Sequence, residues 1–376
     1  LLSENDAKYI TGGYMTYKIA HFADTHIRNL KYHEEYRFVF KQMYQRLREQ
    51  KVDMIVHCGD LAHTKTQLSP EYFSLATEFL NLADIAPTYI ILGNHDGNLR
   101  NSGREDAVTP IADALNHPNL HLLKDSGNYR VDAGLSFNVL SIFDRENWEE
   151  PDTNGISIAL YHGAVMGSTT GTGWAMEHGD DDVSVFKGHD FAMLGDIHKP
   201  QILDTEGRVQ YAGSTVQQNF SEGTRKGYKL WTIKSDKDFN VQHVTFVSPR
   251  PFMTIDLDKS GNVPEHYHIP RGARLRLISR SNLTSTKIRQ VTELACSRYH
   301  PTSVTFVDKS TSEFTSSVGD THKMENLRDL SVQERWIRQY LKEYEIEEEI
   351  MQEVLDLNSK YNKEAEKNEE VRRNVT

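Results

Sequence analysis

Cysteine is nearly missing: Cys58 and Cys296 are the only two in 376 residues. Two thiols so far apart exclude a disulfide framework or a thiolate zinc site, and both are expected to be inert packing residues. Long apolar runs are missing too. Nothing approaches the roughly 20 consecutive apolar residues of a membrane helix. The opening LLSENDAKYITGGY lacks the basic start and apolar stretch of a signal peptide, so a cytoplasmic setting without a membrane is the expectation. Positive charge is in deficit, with 43 Lys and Arg against 54 Asp and Glu and a net charge of -11. That balance excludes a surface coated for nucleic acid, because phosphate binding draws its affinity largely from Lys and Arg. A nucleic-acid substrate would need bound cations, a local basic patch or a partner.

The 38% of hydrophobic residues and 26% of charged ones describe a globular chain with a real core, and the length calls for two or three units. Residues 1 to 14 are expected to be a leader or disordered. Thr11, Gly12 and Gly13 can be encoded by a bacterial ribosome-binding sequence just ahead of the Met15 codon.

From 15 to 249, short apolar runs alternate with helical segments, the pattern of a layered α/β domain. The runs are KIAHFA, DMIVHC, TYIIL, SIALY and FAMLG. EEYRFVFKQMYQRLREQ predicts a helix with Phe38, Met43 and Leu47 inward, and Ser69-Pro70 predicts a capped helix start. VQYAGST, GYKLWTI and VQHVTFV alternate like strands without intervening helices, which predicts a second sheet. Pro249 and Pro251 mark a boundary. Residues 250 to 309 read as a small α/β cap, 310 to 330 as a Ser/Thr-rich linker, 331 to 361 as two amphipathic helices, and 362 to 376 as a solvated tail. Ser331 and Glu334 form a capping box, and Ile346, Ile350, Val354 and Leu357 share one helical face.

Each apolar run of the first domain ends in residues able to bind metal: Asp24 and His26, Asp60, Asn94 and His95, His162, then Asp196 and His198. Open α/β sheets bind ligands beyond the carboxyl ends of their strands, so these residues are expected to converge. Carboxylate, imidazole and carboxamide together suit Mn, Fe or Zn rather than an all-oxygen calcium cage. One such residue is usually a turn or cap residue; a core avoiding unpaired charge has no reason to place the whole set there. His21, His33, His57, His117, His121 and His189 read as ordinary surface or core residues.

DTH, GDLAH, GNHD, HG and GDIH, in that order, resemble the signature blocks of calcineurin-like metallophosphoesterases. GDIHKPQ and YAGSTVQQNFSEGTRKGY resemble the SbcD-like branch, the bacterial and phage type of double-strand-break-repair nuclease. The resemblance implies a two-sheet α/β sandwich with the cap and C-terminal helices appended. It implies two divalent ions, one on Asp24, His26 and His198, the other on Asn94 and His162, with Asp60 bridging both. Asp196 stands where most of the family has His, and is kept as a ligand of the second ion. An anionic site tilts the preference to Mn, with Mg possible. His95 is suited to donate to the leaving oxygen, His63 matches a position near substrate, and Asp96 reads as a partner of the loop.

Between 271 and 298 the cap holds Arg271, Arg274, Arg276, Arg280, Lys287, Arg289 and Arg298 against the single acid Glu293. That cluster is either a DNA-backbone site or a solvated face. The C-terminal helices either fold back on the cap or dock in a partner groove. The resemblance implies docking on an SbcC-like ABC ATPase, and a homodimer through the nuclease domain. The activity it implies is a Mn-dependent DNA nuclease, exonucleolytic on duplex ends and endonucleolytic on single strands, acting in recombination and break repair in a bacterial cell or phage-infected host. The rivals are a small-molecule phosphodiesterase or phosphatase of the same superfamily, and a weakened scaffold for the ATPase.

Overall fold

The structure, a computed structural model, describes residues 16–310 except Ser102 and His178, together with Glu334, Ile337, Arg338 and residues 350–360. The stretches expected as leader and tail, and most of those expected as linker and C-terminal helices, lie outside these.

The first half of the chain runs β1 (Tyr17–Phe22), α1 (His33–Gln50), β2 (Met54–Cys58), α2 (Pro70–Leu80), β3 (Thr88–Ile91), α3 (Thr109–Leu115) and β4 (Leu120–Leu122). Next come β5 (Gly127–Arg130), β6 (Leu135–Leu140), β7 (Ile156–His162), β8 (Phe191–Gly195), β9 (Gln201–Ile202), β10 (Val209–Tyr211), β11 (Gly227–Ile233) and β12 (Phe239–Thr245). One sheet has the order β12-β11-β1-β2-β3-β4, the other β5-β6-β7-β8-β10-β9. Both are mixed: the first is parallel from β1 to β4 and antiparallel on its β11–β12 side, and the second has a parallel centre between antiparallel edges. This is the expected α/β sandwich. The five apolar runs are all strands, but they divide between the sheets, β1 to β3 in one and β7 and β8 in the other. The later strands expected as a second sheet divide as well: β11 and β12 extend the first sheet and β10 joins the second.

The reason lies in the buried faces. Ile19, Met54, Val56 and Ile91 of the first sheet pack with Val139, Ile158, Leu160, Phe191 and Met193 of the second. Side chains alternate across a strand, so the opposite face of the first sheet is apolar as well. There Ala20, Phe22, Ile55 and Ile90 receive α1 and α2 through Tyr36, Phe40, Met43, Tyr72 and Phe79. Each fully buried aliphatic or aromatic side chain contributes about 2 kcal/mol of transfer free energy. In α2, Ser69 accepts from the Tyr72 N–H at 3.1 Å, as its cap predicts. In α1, Met43 and Leu47 face inward as expected, but Phe38 is exposed and Glu35 takes a buried place.

Glu35 is inside because the small domain supplies its partners. Strands β13 (Phe252–Asp256), β14 (Arg274–Ser279) and β15 (Ser303–Asp308) form a parallel sheet with α4 (Ser285–Tyr299) over Leu275, Leu277 and Ile255. Arg274 pairs with Glu35, and the Arg250 guanidinium lies 3.4 Å from the same carboxylate. The Arg274 guanidinium also stacks on Tyr32 at 4.4 Å and Phe252 at 4.9 Å.

Residues beyond 310 form a separate unit. Residues 350–360 are helical, with Met351 and Leu355 buried and Ile350 and Leu357 exposed.

Candidate metal centre

Every ligand candidate lies at or just beyond the carboxyl end of a strand, and the facing sheets bring the ends together. Asp24 and His26 follow β1, Asp60 follows β2, Asn94 follows β3, His162 ends β7, and Asp196 and His198 follow β8. Local backbone geometry is unusual at four of them: Asp24, His26, Asp60 and Asp196 all have positive φ, at 51°, 47°, 60° and 99°. Non-glycine residues rarely adopt that region, and such strain persists where surrounding contacts enforce it. Those contacts are present. The Asp24 N–H donates to Gly59 O and that of His26 to Asp60 O, both at 3.0 Å, while the Asp196 N–H donates to the Asp24 carboxylate at 3.0 Å. Thr25 is hydrogen-bonded to His57 at 2.9 Å and Thr215 at 3.1 Å. His57 therefore anchors the turn rather than only packing.

Close approach of the strands requires glycine at two ligand-bearing turns. A Cβ on Gly195 would lie 1.9 Å from Cys58 O, and one on Gly59 would lie 2.5 Å from His162 Nδ1, with the Gly59 φ at 84°. Asp96 ties two turns together, accepting N–H groups from Asp60, Ala62 and Gly93 at 2.8, 2.8 and 3.0 Å. It is the loop partner that the sequence suggests.

The buried Asp60 carboxylate lies at the middle. Oδ2 is 3.4 Å from His26 Nε2 and Oδ1 is 3.4 Å from His162 Nε2, so its two oxygens face two different imidazoles. On one side Asp24, His26 and His198 gather, with the Nε2 atoms of the two histidines 2.9 Å apart. On the other side His162 Nε2 lies 3.7 Å from Asp196 Oδ1, and Asn94 Nδ2 is 3.4 Å from the same oxygen. Cys58 O accepts from His162 Nδ1 at 2.8 Å, and the buried Nε2 on the other side of the ring has no hydrogen-bond partner. His198 Nδ1 is likewise engaged, by Glu222 Oε1 at 2.8 Å.

The electrostatics call for a cation. Burial pushes the Asp24 carboxyl up to about 7, and the Asp60 and Asp196 charges add to the shift. Burial also raises Asp196. Burial opposes charge on His162 as well, yet Asp60, Asp196 and Asp24 together hold its imidazole well above its ordinary value. Asn94 Oδ1, His26 Nδ1 and His162 Nε2 are buried without hydrogen-bond partners. Two buried carboxylates, Asp24 and Asp60, with the half-buried Asp196 and unpartnered imidazole and carboxamide atoms beside them, are a donor set that divalent ions fit.

His95 and His63 stand at the open side. His95 donates its N–H to Asp60 Oδ1 at 2.8 Å, its exposed ring places Nδ1 2.8 Å from His63 O, and its centroid is 4.8 Å from that of His26. His63 belongs to a group with His26 and His95, and burial with the nearby Arg28 lowers its imidazole to about 4.

Sequence reasoning missed the cations at the rim and the acid behind His198. Lys65 donates to Asn94 O at 2.7 Å, and Arg28 to Gln218 Oε1 at 3.1 Å. Burial disfavours charge on Glu222, but His198 and Lys226 hold its carboxyl down to about 2. No spacing rule separates Glu222 from the solvated acids around it; only its place among 211 to 228 marks it.

The cap cations fare unequally. Arg274 is paired with Glu35 and is not free for a phosphate backbone, because the domain junction would otherwise bury a lone carboxylate. Arg276 lies 4.2 Å from the Phe220 ring. Arg271 is exposed; Arg280 is 3.4 Å from Asp256, Lys287 donates to Asn262 at 2.8 Å, and Arg289 to Glu293 at 2.8 Å, all on the surface. Cys58 is a buried packing thiol as expected, whereas Cys296 is exposed on α4.

Residues 17–200 match the calcineurin-like phosphoesterase family. The uncharacterized protein R555 of Acanthamoeba polyphaga mimivirus is 36% identical over 232 residues, which cover 57% of this chain. The matched region spans only 17% of that relative's length. A crystal structure of the Pseudomonas putida nuclease MPE matches with a TM-score of 0.26 and 13% identity, over 59% of this chain and 85% of its own, too weakly to bear on function. The match to that family begins at β1 and ends just beyond His198, and it encloses every gathered ligand candidate.

Proposed function

We propose that this chain is a two-metal DNA nuclease. The carrying observation for the two-metal part is the Asp60 carboxylate, whose oxygens face His26 and His162 separately at 3.4 Å. Asp24, His26 and His198 would hold one ion, and Asn94, His162 and Asp196 the other, with Asp60 shared. When bound, such ions supply an activated water and neutralise charge on the phosphate, and Mn suits this anionic donor set.

The remaining groups belong to the chain. His95 is oriented through its ring Nδ1 and its main-chain N–H, which leaves Nε2 to protonate the leaving oxygen. His63 buttresses it through its carbonyl. Arg28 and Lys65 bring positive charge to the rim and offset the net charge of -11 for an approaching polyanion. DNA as the substrate is supported by the SbcD-like block at 211 to 228, which wraps the centre, and by Arg271, Arg280, Lys287 and Arg289 on the small domain. On the same resemblance, residues 331–361 engage an SbcC-like ABC ATPase, two copies pair through the phosphoesterase domain, and the complex acts in break repair.

The test is an assay of the purified chain with Mn on end-labelled duplex DNA, single-stranded DNA and a generic aryl phosphodiester. DNA cleavage is the expected result. Turnover of the small ester alone overturns the nuclease reading in favour of a small-molecule phosphodiesterase, and turnover of neither favours a scaffold.

A further inference from the structure

The loop between β10 and β11 joins the metal centre to the small domain. At one end is Glu222, 9% exposed. Its Oε1 accepts from His198 Nδ1 at 2.8 Å, and its Oε2 lies 2.7 Å from Lys226 Nζ and accepts from the Gln218 N–H at 3.1 Å. Lys226 Nζ also donates to His198 O at 2.9 Å. The ring and the main chain of His198 are thus held by one buried acid–base pair.

At the other end is Gln217, also buried. Its Nε2 donates to Glu222 O at 2.8 Å and to Phe252 O at 3.0 Å, and its Oε1 accepts from the Phe252 N–H at 2.9 Å. Phe252 is the first residue of β13. Phe220, between the two ends, packs edge-on to Phe252 at 5.0 Å and lies 4.2 Å from the Arg276 guanidinium of β14.

We propose that Glu222 is a positioning residue for the metal centre, holding His198 with Nε2 presented to an ion, and that the small domain keeps Glu222 in place through Gln217. This rests on the two-metal reading. A carboxylate behind a ligating imidazole fixes its tautomer and raises its basicity, and loss of such a partner typically costs about 10- to 100-fold in metal affinity. The inference assigns the small domain a role in shaping the centre, apart from any contact with substrate.

The experiment is calorimetric titration of the full chain with Mn2+, without substrate. Wild type is expected to bind two ions. In E222Q one of the two should weaken by about 10- to 100-fold while the other is unchanged. Q217A should weaken the same ion by a smaller factor, with Glu222 itself intact. E222D is titrated in its place if E222Q does not fold: it keeps the charge facing Lys226, draws the carboxylate back from His198, and should weaken the same ion. Wild-type affinities in E222Q, or in its stand-in E222D, overturn the positioning role, as does equal weakening of both ions, which a merely loosened fold would produce. Wild-type affinities in Q217A overturn the part given to the small domain. Failure of wild type to bind Mn2+ overturns the two-metal reading and the proposal with it, and is seen before any variant is measured.

Discussion

At the scale of single residues, the charged groups of the centre are distinct from His95, the proposed proton donor. His95 touches the Asp60 carboxylate only through its main chain, so His95→Ala should leave ion binding intact. DNA cleavage should fall by about 10²- to 10⁴-fold, the usual share of a general acid. Single-turnover kinetics beside a Mn2+ titration would check this, and full activity would remove the role. Asp60→Asn is the converse case. A carboxamide presents one oxygen where the structure uses two, so the bound metal content measured by mass spectrometry should drop from two ions to one or none. Which residue types gather at the centre was readable from DTH, GDLAH, GNHD, HG and GDIH, because each follows an apolar run. Glu222 and Lys65 were not readable, because their neighbours come from sequence positions tens of residues away or from main-chain carbonyls.

Among the elements, the strand ends are packed too closely for any side chain at certain turns. Gly195→Ala would drive a methyl to 1.9 Å from Cys58 O, against backbone that cannot rotate aside. The expected cost is about 1–3 kcal/mol, seen as a lower denaturation midpoint at unchanged slope, together with weaker Mn2+ retention as His162 is displaced. The element pattern was legible where hydrophobic periodicity was strong. β1, β2, β3, β7 and β8 are the five apolar runs, and α2 starts at its Ser69 cap. The short β4, with sequence LHL, and β5, with GNYR, gave no such signal, since their pairing is decided by the neighbouring strand. In α1 the periodicity misplaced Phe38, because the face toward the small domain takes the charge of Glu35.

Taken as a whole, the described residues up to 310 form one unit, in which that charge joins the small three-stranded sheet to the sandwich. The Arg274 guanidinium beside Glu35 offsets the effect of burial and holds the carboxyl below its ordinary value. A folded-state pKa that is depressed contributes stability at pH above the unfolded value, about 4.3 for glutamate, and loses it as pH falls through the folded value. Glu35→Gln should therefore lower the melting temperature at neutral pH, by the equivalent of about 3 kcal/mol for a buried pair broken on one side. The gap between variant and wild type should narrow as the buffer is taken well below pH 4.3. A melting series against pH reads both, and a constant gap would show that Glu35 stabilises by packing alone.

Spacing along the chain was enough to mark the donor residues that gather at the centre and the layered α/β class, since both depend on local order: an apolar run, then a turn bearing donors. It could not establish that the donors come from two facing sheets, that Arg274 binds the domain junction instead of a phosphate, or that Glu222 stands behind His198. Those depend on which faces pack and which charges are left to share burial, and that is settled only when strands far apart in sequence enclose the same core.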